Sequence, residues 1–122
     1  MAAPNINSNA TINGKTTAVS LSATTETALL SNAASSNKAI RVKHVTVANS
    51  STILACDITL RYYNAASGGT AFPIGAITVP AYGAVILIGA ENPVWLEEDR
   101  RLTVQASASN QLTVLVSYEE VG

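Results

Sequence analysis

Apolar residues recur at every second position through much of this chain, which is the period of a half-buried β-strand. The clearest case is "DITLRYYN". Ile58, Leu60 and Tyr62 fall on one face, and Asp57, Thr59, Arg61 and Tyr63 on the other. Leu102, Val104 and Ala106 repeat the pattern, and so do Leu112, Val114, Val116 and Tyr118. The residues between them, 107–111, have loop composition, which predicts a β-hairpin with a loop of moderate length.

Two segments break their own period. In "KAIRVKHVTVANSS", Ile40 and Val42 share one face while Val45 and Val47 share the other. An evenly alternating strand would turn one pair away from the core. A β-bulge over residues 43–45 restores the phase; the alternative is a strand covered on both faces. In "KTTAVSLSATTETALLSN", Val19 and Leu21 lie on one face, and Leu29 and Leu30 lose that phase after a polar step. The Ala and Leu content admits a helix over residues 25–34. The β-branched and hydroxyl side chains argue instead for a first strand in two pieces.

Pro73 puts "TAFPIGAITV" at a sheet edge or in an irregular strand. The run Pro80-Ala81-Tyr82-Gly83 is a turn, and residues 85–88 form a short strand apolar on both faces. The count is roughly seven or eight short strands with turns every 8–12 residues or so. There is no βαβ alternation, heptad or solenoid period. The prediction is an all-β fold, a single antiparallel β-sandwich of jelly-roll or immunoglobulin-like type, over residues 15–122. Residues 1–14 are polar, rich in Asn, contain Pro4 and end in the turn dipeptide Asn13-Gly14. They read as an N-terminal arm, either docked on a neighbouring subunit or frayed.

Composition alters this picture in one respect. The chain is 48% hydrophobic and 12% charged, about half the usual charged fraction, with a mean hydropathy of +0.25. A chain of 122 residues is too short to bury that much apolar surface alone. A covering partner is expected, first of all further copies of the same chain in a homo-oligomer such as a trimer. The formal net charge of −1 is too small to recruit nucleic acid or an anionic membrane through the field of the whole protein. The start, "MAAPNINSNATING", has neither a basic nor an apolar segment of a secretory signal. No apolar run reaches the roughly 20 residues of a membrane span. Folding in a cytoplasm is expected, with the sequons at Asn9 and Asn49 idle. Cys56 is the single cysteine, so no disulfide forms within the chain, and it reads as a small buried hydrophobe.

Catalytic chemistry is hard to assemble from these residues. His44 is the only histidine, which excludes His–His metal pairs and Cys–His zinc sets. No serine lies in a Gly-x-Ser-x-Gly elbow. Glu97-Glu98 and Glu119-Glu120 are sequence neighbours that point to opposite faces of a strand, so they read as solvated ends rather than an acid–base pair. A calcium site at Glu97, Glu98 and Asp99 is weaker than that reading, and Ser67-Gly68-Gly69 lacks the rest of a phosphate loop. No enzyme activity, metal or cofactor is expected. The candidates that remain are interface residues: the basic set Lys38, Arg41 and Lys43, with Tyr63 and Trp95. Trp95 reads either as a core plug closing one end of the sandwich or as an exposed interface anchor. The five consecutive charges at 97–101 are expected to turn a corner in water.

One resemblance adds direction. The segments "VPAYGAVILIGAENPVWLEEDRRLTVQASASNQLTVLVSYEEV", "NAASSNK", "VKHVTVAN" and "DITLRYYN" resemble a family of small tailed-phage virion proteins of marine and cyanobacterial phages. Its pattern is a "VPA" turn, a "VWLEE" corner, "L-x-V-x-A-S-A" and a closing "V-S-Y-E-E". The likeness spans nearly the whole chain and brings no catalytic residue with it. It implies a β-sandwich structural protein of the virion, made in the host bacterial cytoplasm. Its partners would be capsid or neck and tail proteins. The leading expectation is a capsid decoration or cement protein. The alternatives are a neck, tail or fibre-attachment subunit and, in another class, a carbohydrate-binding module for host attachment.

Overall fold

The alternating segments pair as a long ribbon folded back on itself. The structure, a computed structural model, describes residues 12–89 and 93–122. Among the described residues the strands are β1 (Ile12–Leu21), β2 (Thr27–Asn32), β3 (Ala39–Asn49), β4 (Cys56–Tyr63), β5 (Ala71–Val79), β6 (Ala84–Ile88), β7 (Val94–Leu96), β8 (Arg100–Ala106) and β9 (Leu112–Val121). β1 pairs with β9, β2 with β8, β3 with β6 and β7, and β4 with β5, all antiparallel. One sheet has the order β1-β9-β3-β6, with β7 also beside β3, and the other is β2-β8-β4-β5. Two antiparallel sheets thus form a β-sandwich, and the nested pairing is that of a jelly roll rather than an immunoglobulin domain. The arm expected over 1–14 lies outside the described residues as far as residue 11. Ile12, Asn13 and Gly14 are already in β1, where they pair with Val121, Glu120 and Glu119.

The core lies between the sheets. Ile40, Val42, Val45, Val47, Val114 and Val116 pack from one side against Ile58, Leu60, Leu102 and Val104 from the other, all buried. The bulge makes this packing continuous. Val42 pairs with Tyr118 and His44 with Ser117, which leaves Lys43 unpaired. That extra residue brings Ile40, Val42, Val45 and Val47 onto one face. The split first strand has a related cause: β1 and β2 belong to opposite sheets, so the lost phase at residues 22–26 marks where the chain crosses between layers.

Three expectations are corrected. First, β8 and β9 do not form a hairpin, because they lie in different sheets. Residues 107–111 arch across the end of the sandwich. Ser107 N donates to Asp57 O at 2.9 Å and Asn110 N to Leu21 O at 3.0 Å. Alternation fixes which face of a strand is buried, but not which sheet holds it. Here β8 is flanked by β2 and β4, and β9 by β1 and β3, so neither has a free edge for the other.

Second, the charged corner is not simply wet. Glu97 is exposed, but Glu98 is only 7% accessible. Asp99 Oδ1 accepts from Ala66 N at 2.9 Å, while its own N–H donates to Asn32 O at 2.9 Å. Arg101 donates to the carbonyls of Ala65 and Gly68 at 2.8 and 2.9 Å. Arg100 donates to the carbonyls of Glu98 and Asp99. Asp99, Arg100 and Arg101 thus bind loop backbone groups that would otherwise need water.

Third, Trp95 is no plug. It is 42% exposed, while its neighbour Leu96 is fully buried. β7 alternates, with Val94 opposite buried Val42 and Trp95 opposite Arg41. The strand period decides the burial, not the size of the ring.

The outer face of the second sheet carries a polar network around Glu26. Its carboxylate accepts hydrogen bonds from the hydroxyls of Thr103 and Tyr63, the latter at 2.9 and 2.7 Å to its two oxygens. Arg61 stands 3.8 Å away and also donates to Gln105 Oε1 at 2.8 Å. Arg101 stacks on the Tyr63 ring at 3.7 Å, a cation–π contact. The Thr103 hydrogen bond, then that of Tyr63, holds the Glu26 carboxyl below the usual glutamate range, with Arg61 and Arg101 adding to the effect and desolvation opposing it. The network ties β2, β4 and β8 together across the sheet.

Two predictions follow from this architecture. Leu96→Ala should lower stability by about 2–5 kcal/mol, and Trp95→Ala by roughly 1 kcal/mol, read from denaturant midpoints of the purified protein. Glu26, whose folded pKa is depressed, contributes stability that is fully present above the ordinary glutamate value of 4.5. That contribution is lost as pH falls through the lower folded value. The stability advantage of the parent over Glu26→Gln should therefore be constant near neutrality and shrink on acidification, as measured by urea unfolding across a pH series.

Candidate assembly surface

The five residues singled out in the sequence do not form one patch. Arg41 sits mid-sheet on the outer face of the first sheet, between Trp95 on β7 and Glu119 on β9. It pairs with Glu119 at 3.3 Å. Lys38 lies 3.8 Å from Glu120, which Lys15 holds more closely at 2.9 Å. That hydrogen bond and the charge of Glu120 raise the Lys15 pKa. Lys43 is the half-buried residue of the bulge. Tyr63 is on the other sheet, with its hydroxyl on Glu26 and its ring under Arg101. The basic set is thus partly neutralised by the strand beside it. Pairs this exposed add little to stability; they orient side chains more than they hold the fold.

A larger feature lies on the side of the sandwich where β5 faces β6 and β7. From Tyr62 to Ala90 the sequence contains no charged residue. β5 pairs with β4 at the edge of its sheet, in keeping with Pro73. Its register with β4 shifts between Leu60 and Arg61, where Gly75 and then Pro73 take the pairing and Ile74 is skipped. Ile77 is opposite buried Ile58, and Phe72 is opposite Tyr62, so these side chains share the core-facing side of the sheet. Phe72, Ile74 and Ile77 are nevertheless exposed. β6 has 5 residues and β7 has 3. Among the described residues the sandwich stands open beside them as an apolar cleft of about 350 Å³, lined by Leu60, Tyr62, Ile74, Leu87, Val94 and Trp95 among others.

A second apolar feature protrudes from the end of the sandwich where β4 begins and β5 ends. Ile53 is 82% exposed, Tyr82 77%, and Leu54 is exposed beside them. Their loops are firmly held. Buried Asn49 donates from Nδ2 to the carbonyls of Leu54 and Val79 at 2.9 and 3.2 Å, and its Oδ1 accepts from Ser51 N at 3.0 Å. Tyr82 N donates to Ser51 O at 2.7 Å, and Tyr82 takes a left-handed φ of 57°, which a non-glycine residue seldom adopts.

Sequence reasoning missed both features. Their signals in the sequence are the long uncharged run and an Ile-Leu pair lying outside any strand. Among the described residues no group of three or more potential metal ligands comes together. His44 is a strand residue whose Nδ1 lies 3.0 Å from Thr46 Oγ1.

No protein-family model matches this chain, and no curated protein matches it in sequence. Among solved structures, the fold is similar to a chain from Bacillus endospore appendages, described as a novel family of disulfide-linked pili. The superposition has a TM-score of 0.55 at 13% sequence identity and covers 94% of this chain and 91% of that one. At that identity the likeness establishes a shared β-sandwich fold.

Proposed function

We propose that this protein is a non-enzymatic structural subunit of a tailed-phage virion, made in the host bacterial cytoplasm, that decorates the capsid as a homo-oligomer. The observation that carries the reading is the open, uncharged side of the sandwich. A row of core-facing side chains on β5 and the cleft beside it remain in contact with water. Exposed apolar area of this kind marks a surface meant to be covered. The resemblance of the sequence to small virion proteins supplies the kind of particle. Many copies on a shell would make weak individual contacts effective through avidity.

A second reading is a neck, tail or fibre subunit; the fold it shares with a chain of endospore appendages described as pili is compatible with it. The disulfide linkage named for those pili has no ready counterpart here, because Cys56 is the single cysteine and is buried. A carbohydrate-binding role draws less support. Sugar sites usually group exposed aromatic rings with polar groups, whereas Tyr82 lies far from Trp95 and the cleft beside Trp95 is lined mainly by aliphatic side chains.

Quantitative mass spectrometry of purified particles tests the proposal. A decoration protein should be present in numbers comparable with the shell protein, and should rebind to particles stripped of it. A copy number that is a small fraction of the shell protein's would select the neck or tail reading. Complete absence of the chain from the particles would refute both.

A further inference from the structure

The knob at Ile53, Leu54 and Tyr82 and the cleft beside Ile74 and Trp95 are the two most apolar exposed features described above, and they lie at different ends of one molecule. β4 runs from Cys56, next to the knob, to Tyr63; Leu60 and Tyr62, near its far end, line the cleft. At about 3.3 Å per residue, Leu60 and Tyr62 lie roughly 13 and 20 Å along the strand from Cys56, so the firmly held knob does not enter the cleft of its own chain. We propose that the knob of one copy seats in the cleft of a second copy, forming a heterologous, head-to-tail contact. This rests on the reading of the protein as a self-assembling subunit and specifies which surfaces meet.

Three observations favour a second copy as the occupant. The first is electrostatic. The turn that carries Tyr82 and the rims that carry Ile74 and Leu87 all fall in the run from Tyr62 to Ala90 that has no charge, so apposing them strands no ion in an apolar contact. The second is size. An apolar cavity of about 150 Å³ holds a benzene ring, and the cleft, at about 350 Å³, has room for the Tyr82 ring or for Ile53 with Leu54. The third is rigidity. Buried Asn49 and the Tyr82–Ser51 hydrogen bond already fix the knob, so docking loses little conformational entropy. A standard interface covers about 800 Å² per partner, more than three side chains supply. The exposed parts of β5 and β6 must therefore join the contact, and a single contact is weak. Because different surfaces meet, the contact closes into a ring where the rotation between copies permits and otherwise propagates as a filament.

Mixing two complementary variants tests this. Ile53→Ser/Tyr82→Asn removes the knob; asparagine is well suited to the left-handed φ at position 82. Ile74→Lys blocks the cleft, with Leu87→Glu as a second blocking variant should the first fail to fold by circular dichroism. Sedimentation velocity should show concentration-dependent oligomers for the parent and monomers for each variant alone. An equimolar mixture should give a dimer, since a cleft-blocked chain still has a knob and a knobless chain still has a cleft. Oligomers persisting in either folded variant, or no dimer in the mixture, would overturn the head-to-tail contact while leaving self-assembly intact. A parent that stays monomeric at high micromolar concentration would overturn both.

Discussion

The extra residue at Lys43 is the constraint on which much of this structure depends. With it, Ile40, Val42, Val45 and Val47 reach one face of β3 and are buried; without it, half of them would face water. The bulge also divides the other edge of β3. β7 pairs with residues 40–42, before the bulge, and β6 pairs with residues 45–48, after it. A bulge bends its strand and sharpens the local twist; β9 follows β3 past it by skipping Lys43, while the edge opposite β5 is built from two short strands. The open cleft and the row of Phe72, Ile74 and Ile77 lie beside that divided edge.

The polar residues serve the same architecture. In a chain with few charges, most of those near the loops hold backbone groups in place. Arg101 binds two carbonyls of the 64–70 loop while stacking on Tyr63. Asp99 bridges that loop to Asn32 at the end of β2. Asn32, itself buried, donates to the carbonyls of Lys38 and Leu96. Asn49 does comparable work at the opposite end. The loops are thus fixed at both ends of the sandwich, and the apolar knob stands on a firm base.

Legibility in the sequence followed the reach of each interaction. Alternation within β4, β8 and β9 depends on nearest neighbours, so their inward faces could be read directly. The bulge was also readable, because its signature is a phase error within one strand. The partnership of β8 with β4 was not, since hydrophobic period says nothing about which sheet a strand joins. Of the two readings of Trp95, the period that buries Leu96 decides for the exposed one. The burial of Glu98 has no signal in the charge run, which reads as solvated throughout. The cleft is not legible for a further reason: it lies between β5 of one sheet and β6 and β7 of the other, a relation between segments that no single segment records.

The nested pairing has a consequence for how the chain folds. β9 lies between β1 and β3, and Ile12 pairs with Val121, so the first sheet is held together by contacts between distant parts of the sequence. Forming such contacts requires closing long loops before any stabilisation is gained, which slows folding. Until β9 emerges from the ribosome, β1 and β3 have no common partner, and their apolar faces remain open to wrong pairing. Assembly of the first sheet must wait for β9, so synthesis itself sets the earliest moment at which the sandwich can close.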